Sequence, residues 1–167
     1  MVKLTALTAL VAAVAAALTA SSLAATGTAG TLTKAQVIER GSAICRAAQK
    51  RVESTPGPRS QNPFASTAPK GDRNRAIVFL EVYADALESV RVGLGRLAAP
   101  PEGRALLTGF VAELRPTVGT FRTAHADALA GRYKAALAHA ESAFAMFDRA
   151  SAKTKAYGFP KGVCQSG

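Results

Sequence analysis

Two histidines, two cysteines and eleven acidic residues are what this chain offers for chemistry. His125 and His139 flank a turn signal at Gly131, so a helical hairpin would set them at similar heights and invite a metal or haem between them. Their helical phases argue against it. At about 100° per residue His125 falls on an apolar stripe, whereas His139 lies roughly 110° from the centre of the next stripe, beside Ser142 and Met146. No Cys-x-x-Cys-His, His-Glu-x-x-His or Glu-x-x-His occurs. The expectation is a chain with no bound metal and no cofactor.

The carboxylates and nucleophiles are no more promising. Glu81, Asp85 and Glu88 form a row at i, i+4 and i+7, but opposite the apolar face of their segment, where a solvated face is expected rather than a di-iron site. There is no Gly-x-Ser-x-Gly, and Gly93 and Gly95 follow no strand, so they make no phosphate cradle. No residue is assigned a catalytic role.

Two binding readings remain. His125, a polar group on an apolar stripe, is read as a hydrogen-bonded core residue. The competing reading has it orient a small ligand in the bundle interior, near Tyr83 or Tyr133. Arg104, Arg115 and Arg122 share one phase of their segment and could form a basic ridge for an anionic polymer; the plainer reading is surface arginines whose stems cover apolar edge. No aromatic residues interleave with the basic ones, which argues against nucleic acid as a partner.

The elements that must position these residues are helices. Residues 33–55 open on the capping box Thr33-Lys34-Ala35-Gln36 and carry Val37, Gly41, Ile44, Cys45, Ala48 and Val52 on one face. A proline-rich loop over 56–72 follows, long enough that the first two helices could be joined by a crossover instead of a hairpin. Asp72 is expected to cap helix 2, whose stripe is Phe79, Tyr83, Ala86, Leu87, Val90, Leu94 and Leu97. Pro100 and Pro101 open helix 3, with Leu107, Phe110, Val111, Leu114, Val118, Phe121, His125 and Leu129 in line and a kink expected at Pro116. Helix 4 carries Tyr133, Leu137, Ala140, Phe144, Phe147 and Ser151. Four amphipathic helices and no strand signal make an all-α four-helix bundle over 33–158, up-and-down or with one long crossover.

The ends of the chain bear on compartment. Lys3 is the only charge before Lys34, and an apolar run over 4–20 leads to Ser22-Leu23-Ala24, the pattern of a signal peptide cut near Ala24. Residues 25–32 then form a flexible N-terminal segment. The alternative is a retained anchor, for which the run is short. Export makes paired cysteines tenable. At the other end Gly158 suits a left-handed helix stop, Phe159 a following hydrophobic contact, and Pro160 forbids continuation. The tail 159–167 can then reach back along helix 1, bringing Cys164 to Cys45; two free thiols or an intermolecular bridge are the alternatives.

Four stretches, "KAQVIERGSAIC", "LGRLAAPPE", "HADALAGRYKAAL" and "AYGFPKGVC", are similar to a pattern in small, alanine-rich secreted helical proteins of actinobacteria with one cysteine in helix 1 and one near the C-terminus. The resemblance implies a helical fold and a Cys–Cys staple, and brings no functional residues.

The net charge of +10 would draw an exported protein to anionic surfaces. The sequence thus points to a secreted, non-enzymatic bundle that binds anionic cell-wall polymer or a membrane surface. A small-ligand carrier or an enzyme with an interior site near His125 is the alternative.

Overall fold

The computed structural model describes residues 30–165 apart from residue 70; the leader and most of the segment 25–32 lie outside these. Four α-helices follow in order: α1 (Lys34–Glu53), α2 (Asp72–Gly95), α3 (Pro101–Leu129) and α4 (Tyr133–Tyr157), with no strand among the described residues.

Local signals set the ends. Thr33 Oγ1 accepts from the Gln36 amide at 3.3 Å, and Gln36 Oε1 accepts from the Thr33 amide at 2.9 Å, the reciprocal capping box. Pro101 occupies the first position of α3, where its missing N–H costs no helical bond. α3 runs through the exposed Pro116 as one helix. α4 stops at Gly158, φ +107°. The Gly158 amide reaches Lys155 O and the Phe159 amide reaches Thr154 O, both orphan carbonyls of the last turn.

Consecutive helices are antiparallel neighbours: α1 packs on α2, α2 on α3 and α3 most extensively on α4, while α1 and α4 remain farther apart. The buried faces are set by the bundle. α3 buries Leu107, Phe110, Leu114, Thr117, Phe121, Ala124 and Ala128, and α4 buries Ala136, Ala140, Ala143, Phe147, Ala150, Thr154 and Tyr157. Both series alternate steps of three and four, the 3.5-residue period of helices that wrap left-handedly about each other. This corrects the stripes expected from a 3.6 period. A straight helix drifts by roughly 20° per heptad, so by the end of α3 the core face has passed to Ala124, Asp127 and Ala128. His125 is only half-buried and Leu129 is 64% exposed. On α4 the alanines take the centre, and Tyr133, Leu137 and Phe144 move to the flank.

The loop between α1 and α2 settles the choice between hairpin and crossover. The two helices are antiparallel neighbours, yet the loop crosses the end of the bundle. Phe64, buried, stacks on Tyr133 of α4 at 5.3 Å, and Arg73 lies 4.3 Å from the same ring. Asp72 organises this path. It makes no capping bond to its own helix, contrary to expectation; Gly71 is the N-cap. Its fully buried carboxylate accepts from the amides of Arg59 (3.1 Å) and Ser60 (2.9 Å), from Ser60 Oγ (2.6 Å) and from the Arg75 guanidinium. The buried charge of the carboxylate is thereby matched by donors from the loop and from Arg75.

The tail closes the fold. Cys164 is disulfide-bonded to Cys45 across 119 residues, with Cα atoms 5.3 Å apart. Phe159 lies on α1 at Gly41, and Thr154 Oγ1 lies 3.0 Å from Cys164 O. Cys164 itself has φ +54°, a left-handed conformation that β-carbon sterics disfavour and that the bridge holds in place.

Candidate functional site

Where α1 and α4 diverge, the tail covers only part of the opening and a cavity of about 210 Å³ remains. Ala48 and Val52 of α1 form one wall. Ala86, Leu87 and Val90 of α2 form the floor, with Phe110 of α3 and Phe147 of α4 behind them. Gly162, the Cys45–Cys164 bridge and Gln165 close one end. The position follows from topology: α1 is held to α4's end by the tail and to α2 by side-chain packing, and the corner between these two attachments is left unfilled. A cavity near 150 Å³ accepts benzene, and drug-sized ligands need ~300 Å³ or more, so this one suits a single ring or a short branched chain.

Tyr83 stands at the aromatic side of the cavity. Its ring contacts Phe121 at 4.8 Å, Phe144 at 5.2 Å and Phe147 at 6.4 Å between centroids. Burial, and then the Asp148 carboxylate, push its hydroxyl up to about 12. The remaining polar groups are Gln49, Glu53 and Gln165. Gln49 Nε2 donates to Glu53 Oε1 at 2.8 Å. Among the described residues no Lys, Arg or His lines the cavity, although the chain carries ten more basic than acidic residues.

The residues singled out from sequence are scattered. His125 is outside the cavity wall and makes no hydrogen bond among the described residues, so the expected hydrogen-bonded core histidine is not what the fold contains. Tyr133 belongs to the loop end of the molecule, under Phe64. Arg104 turns its guanidinium onto Ala99 O, with Nε at 3.2 Å and Nη2 at 3.1 Å, and so ties the α2–α3 turn. Arg115 and Arg122 are exposed and lie in the field of Glu88, which Arg91 pairs directly at 2.6 Å. The Arg91 hydrogen bonds hold the Glu88 carboxyl below its ordinary range. Of the acidic row, Asp85 faces Arg51 of α1 at 3.5 Å and Glu88 is engaged with Arg91, so two of its three members are ion-paired. Gly93 is a notch for Ile44: a Cβ there would lie 2.9 Å from Ile44 Cγ2.

One constellation was not foreseen. Asp127, buried at the end of α3, accepts from Arg132 Nε (2.8 Å) and Nη2 (2.6 Å) through Oδ1, and its Oδ2 lies 2.8 Å from His139 Nδ1. The Arg132 bonds, with His139 secondary, lower the Asp127 carboxyl. The Arg132 amide also donates to Asp127 O at 2.8 Å, so the group locks the α3–α4 turn. The sequence signal was Asp127 with Arg132 five residues on, across Gly131. Asp127 stands beside Ala128 of the buried series, at the flank of the core over which the turn folds. Among the described residues no group of three or more His, Cys, Asp or Glu is placed to hold a metal.

Fold and site together define a four-helix bundle with a disulfide-tied tail and a small aromatic-sided cavity under the bridge. The chain finds no match among protein-family models, curated proteins or solved structures.

Proposed function

We propose that this is a secreted, non-catalytic bundle of the actinobacterial alanine-rich type that attaches to anionic material of the cell envelope through one basic end. The observation that carries the reading is the end where α1 starts, α2 meets α3 and α4 stops. It gathers Lys34, Arg96, Arg104, Lys155 and Lys161, all exposed and, among the described residues, none in an ion pair. Two basic residues here, Lys155 and Lys161, lie near the carboxyl end of α4, whose dipole favours cations. The internal disulfide is compatible with an oxidising compartment, and no helix among the described residues is long and apolar enough to cross a membrane. Of the basic ridge considered at Arg104, Arg115 and Arg122 beside the plainer reading of surface arginines, Arg104 stands at this end, and the other two lie in the field of Glu88.

The test is retention on vesicles containing anionic phosphatidylglycerol and on purified anionic wall polymer, as a function of NaCl. Each basic side chain near such a surface contributes about 1 kcal/mol at modest salt. Binding is therefore expected at low salt and lost as the Debye length shrinks below the charge spacing. The double change Lys155→Glu, Lys161→Glu should weaken it at least tenfold, and Arg115→Glu, Arg122→Glu much less. Binding that ignores salt, or two variants that behave alike, would overturn the assignment to this end. N-terminal sequencing of the exported product checks cleavage near Ala24.

A further inference from the structure

We propose that the cavity beneath the Cys45–Cys164 bridge is a binding site for a small apolar amine: one ring or short branched hydrocarbon carrying a single protonated nitrogen. The inference is independent of the envelope reading, which uses the opposite sign of charge at another place on the surface.

Three observations converge on that chemistry. The volume of about 210 Å³ fits roughly a one-ring molecule. The walls are aliphatic and aromatic, with Tyr83, Phe110 and Phe147 presenting ring surface to which an ammonium is attracted. The electrostatics of the opening are inverted relative to the molecule. In a chain of net charge +10, the described residues that line the cavity include no basic side chain and one carboxylate, Glu53. Among the described residues Glu53 makes no ion pair, and its side-chain partner is the neutral amide of Gln49. An apolar anion would meet the Glu53 carboxylate, and a neutral hydrocarbon would leave it unused. An amine places its carbon body against Val52, Leu87 and Phe147 and its nitrogen at Glu53.

The experiment uses the oxidised protein and three probes of similar size: 2-phenylethylamine, n-propylbenzene and 3-phenylpropionate, followed by chemical-shift changes in the protein's NMR spectrum. The amine should bind about tenfold more tightly than the hydrocarbon, with the carboxylate weakest, and shifts should centre on Ala48, Val52, Tyr83 and Ala86. Glu53→Gln should bring amine and hydrocarbon to within about twofold of each other. Ala48→Phe, at a half-buried α1 position facing the cavity, should abolish binding of both while helicity is retained; if it misfolds, Ala86→Met tests the same space from α2. Equal binding of amine and carboxylate, shifts elsewhere on the molecule, or amine binding that survives a folded cavity-filling variant would overturn the proposal. So would a dimer whose formation excludes the amine, which would give the opening to a second copy of the chain.

Discussion

Phe159 of the tail lies against the bare backbone of Gly41 in α1: a Cβ on Gly41 would stand 2.7 Å from two carbons of its ring. The tail is thus seated by shape as well as by sulfur, four residues after Gly41 comes Cys45, and the ring and the bridge share one face of the helix.

Gly41→Ala should therefore unseat Phe159. Overpacking of this kind costs ~1–3 kcal/mol, and replacing glycine inside a helix returns ~1 kcal/mol, so a net loss of up to about 2 kcal/mol is expected. Urea denaturation measures it. Adding Phe159→Leu should recover part of the loss, a coupling that two independent sites would not show.

Removing the bridge should destabilise the chain. Chain entropy for a loop of 119 residues gives an upper value of ~4–5 kcal/mol, so Cys45→Ser with Cys164→Ser should melt well below the oxidised protein. A melting temperature indifferent to reductant would show that Phe159 alone seats the tail.

Asp72 should make the bundle's loop end acid-sensitive. Ser60 Oγ, then the Arg59 amide and Arg75, hold its carboxyl well below the ordinary range, against the opposing effect of burial. A depressed folded value means stability that is full above the unfolded carboxyl value near ~4 and is lost as pH falls toward the folded one. Hydrogen exchange at the Arg59 and Ser60 amides should accelerate below about pH 4. Asp72→Asn should expose those amides already at neutral pH.

Tyr83 should resist ionisation. Its folded value is about 12, above the ordinary value near ~10, so its contribution to stability is intact below pH ~10 and is lost as pH rises through the folded value. Absorbance titration should show one phenol ionising late, or only with unfolding. Asp148→Asn should advance it, because the neighbouring carboxylate is the smaller of its two causes.

Ala143, fully buried between α3 and α4, tests the close approach of those helices. Ala143→Leu inserts three carbons into a filled seam and should cost ~1–3 kcal/mol; the same change at exposed Ala145 should be nearly neutral.

Much of the architecture is written in short-range signals. Thr33 with Gln36, Pro101, and Gly158 followed by Phe159 and Pro160 each act within one helical turn, so they read the same in the sequence and in the fold. The helix number and the Cys45–Cys164 pairing follow from such stops together with the reach of the tail, whereas only the path of the loop decides between hairpin and crossover from α1 to α2. The rest needed partners. A lone helix has a 3.6-residue period, and packing α3 on α4 shifts the buried face to a 3.5-residue repeat, which turns His125 aside; Asp127, one residue before Ala128 of that repeat, is held by Arg132 and His139 across the turn. Asp72 looks like a cap until the loop folds over it and offers better donors. The cavity is the furthest from the sequence, because it is the volume that α1, α4 and the tail fail to fill, and a gap between three elements has no residues of its own.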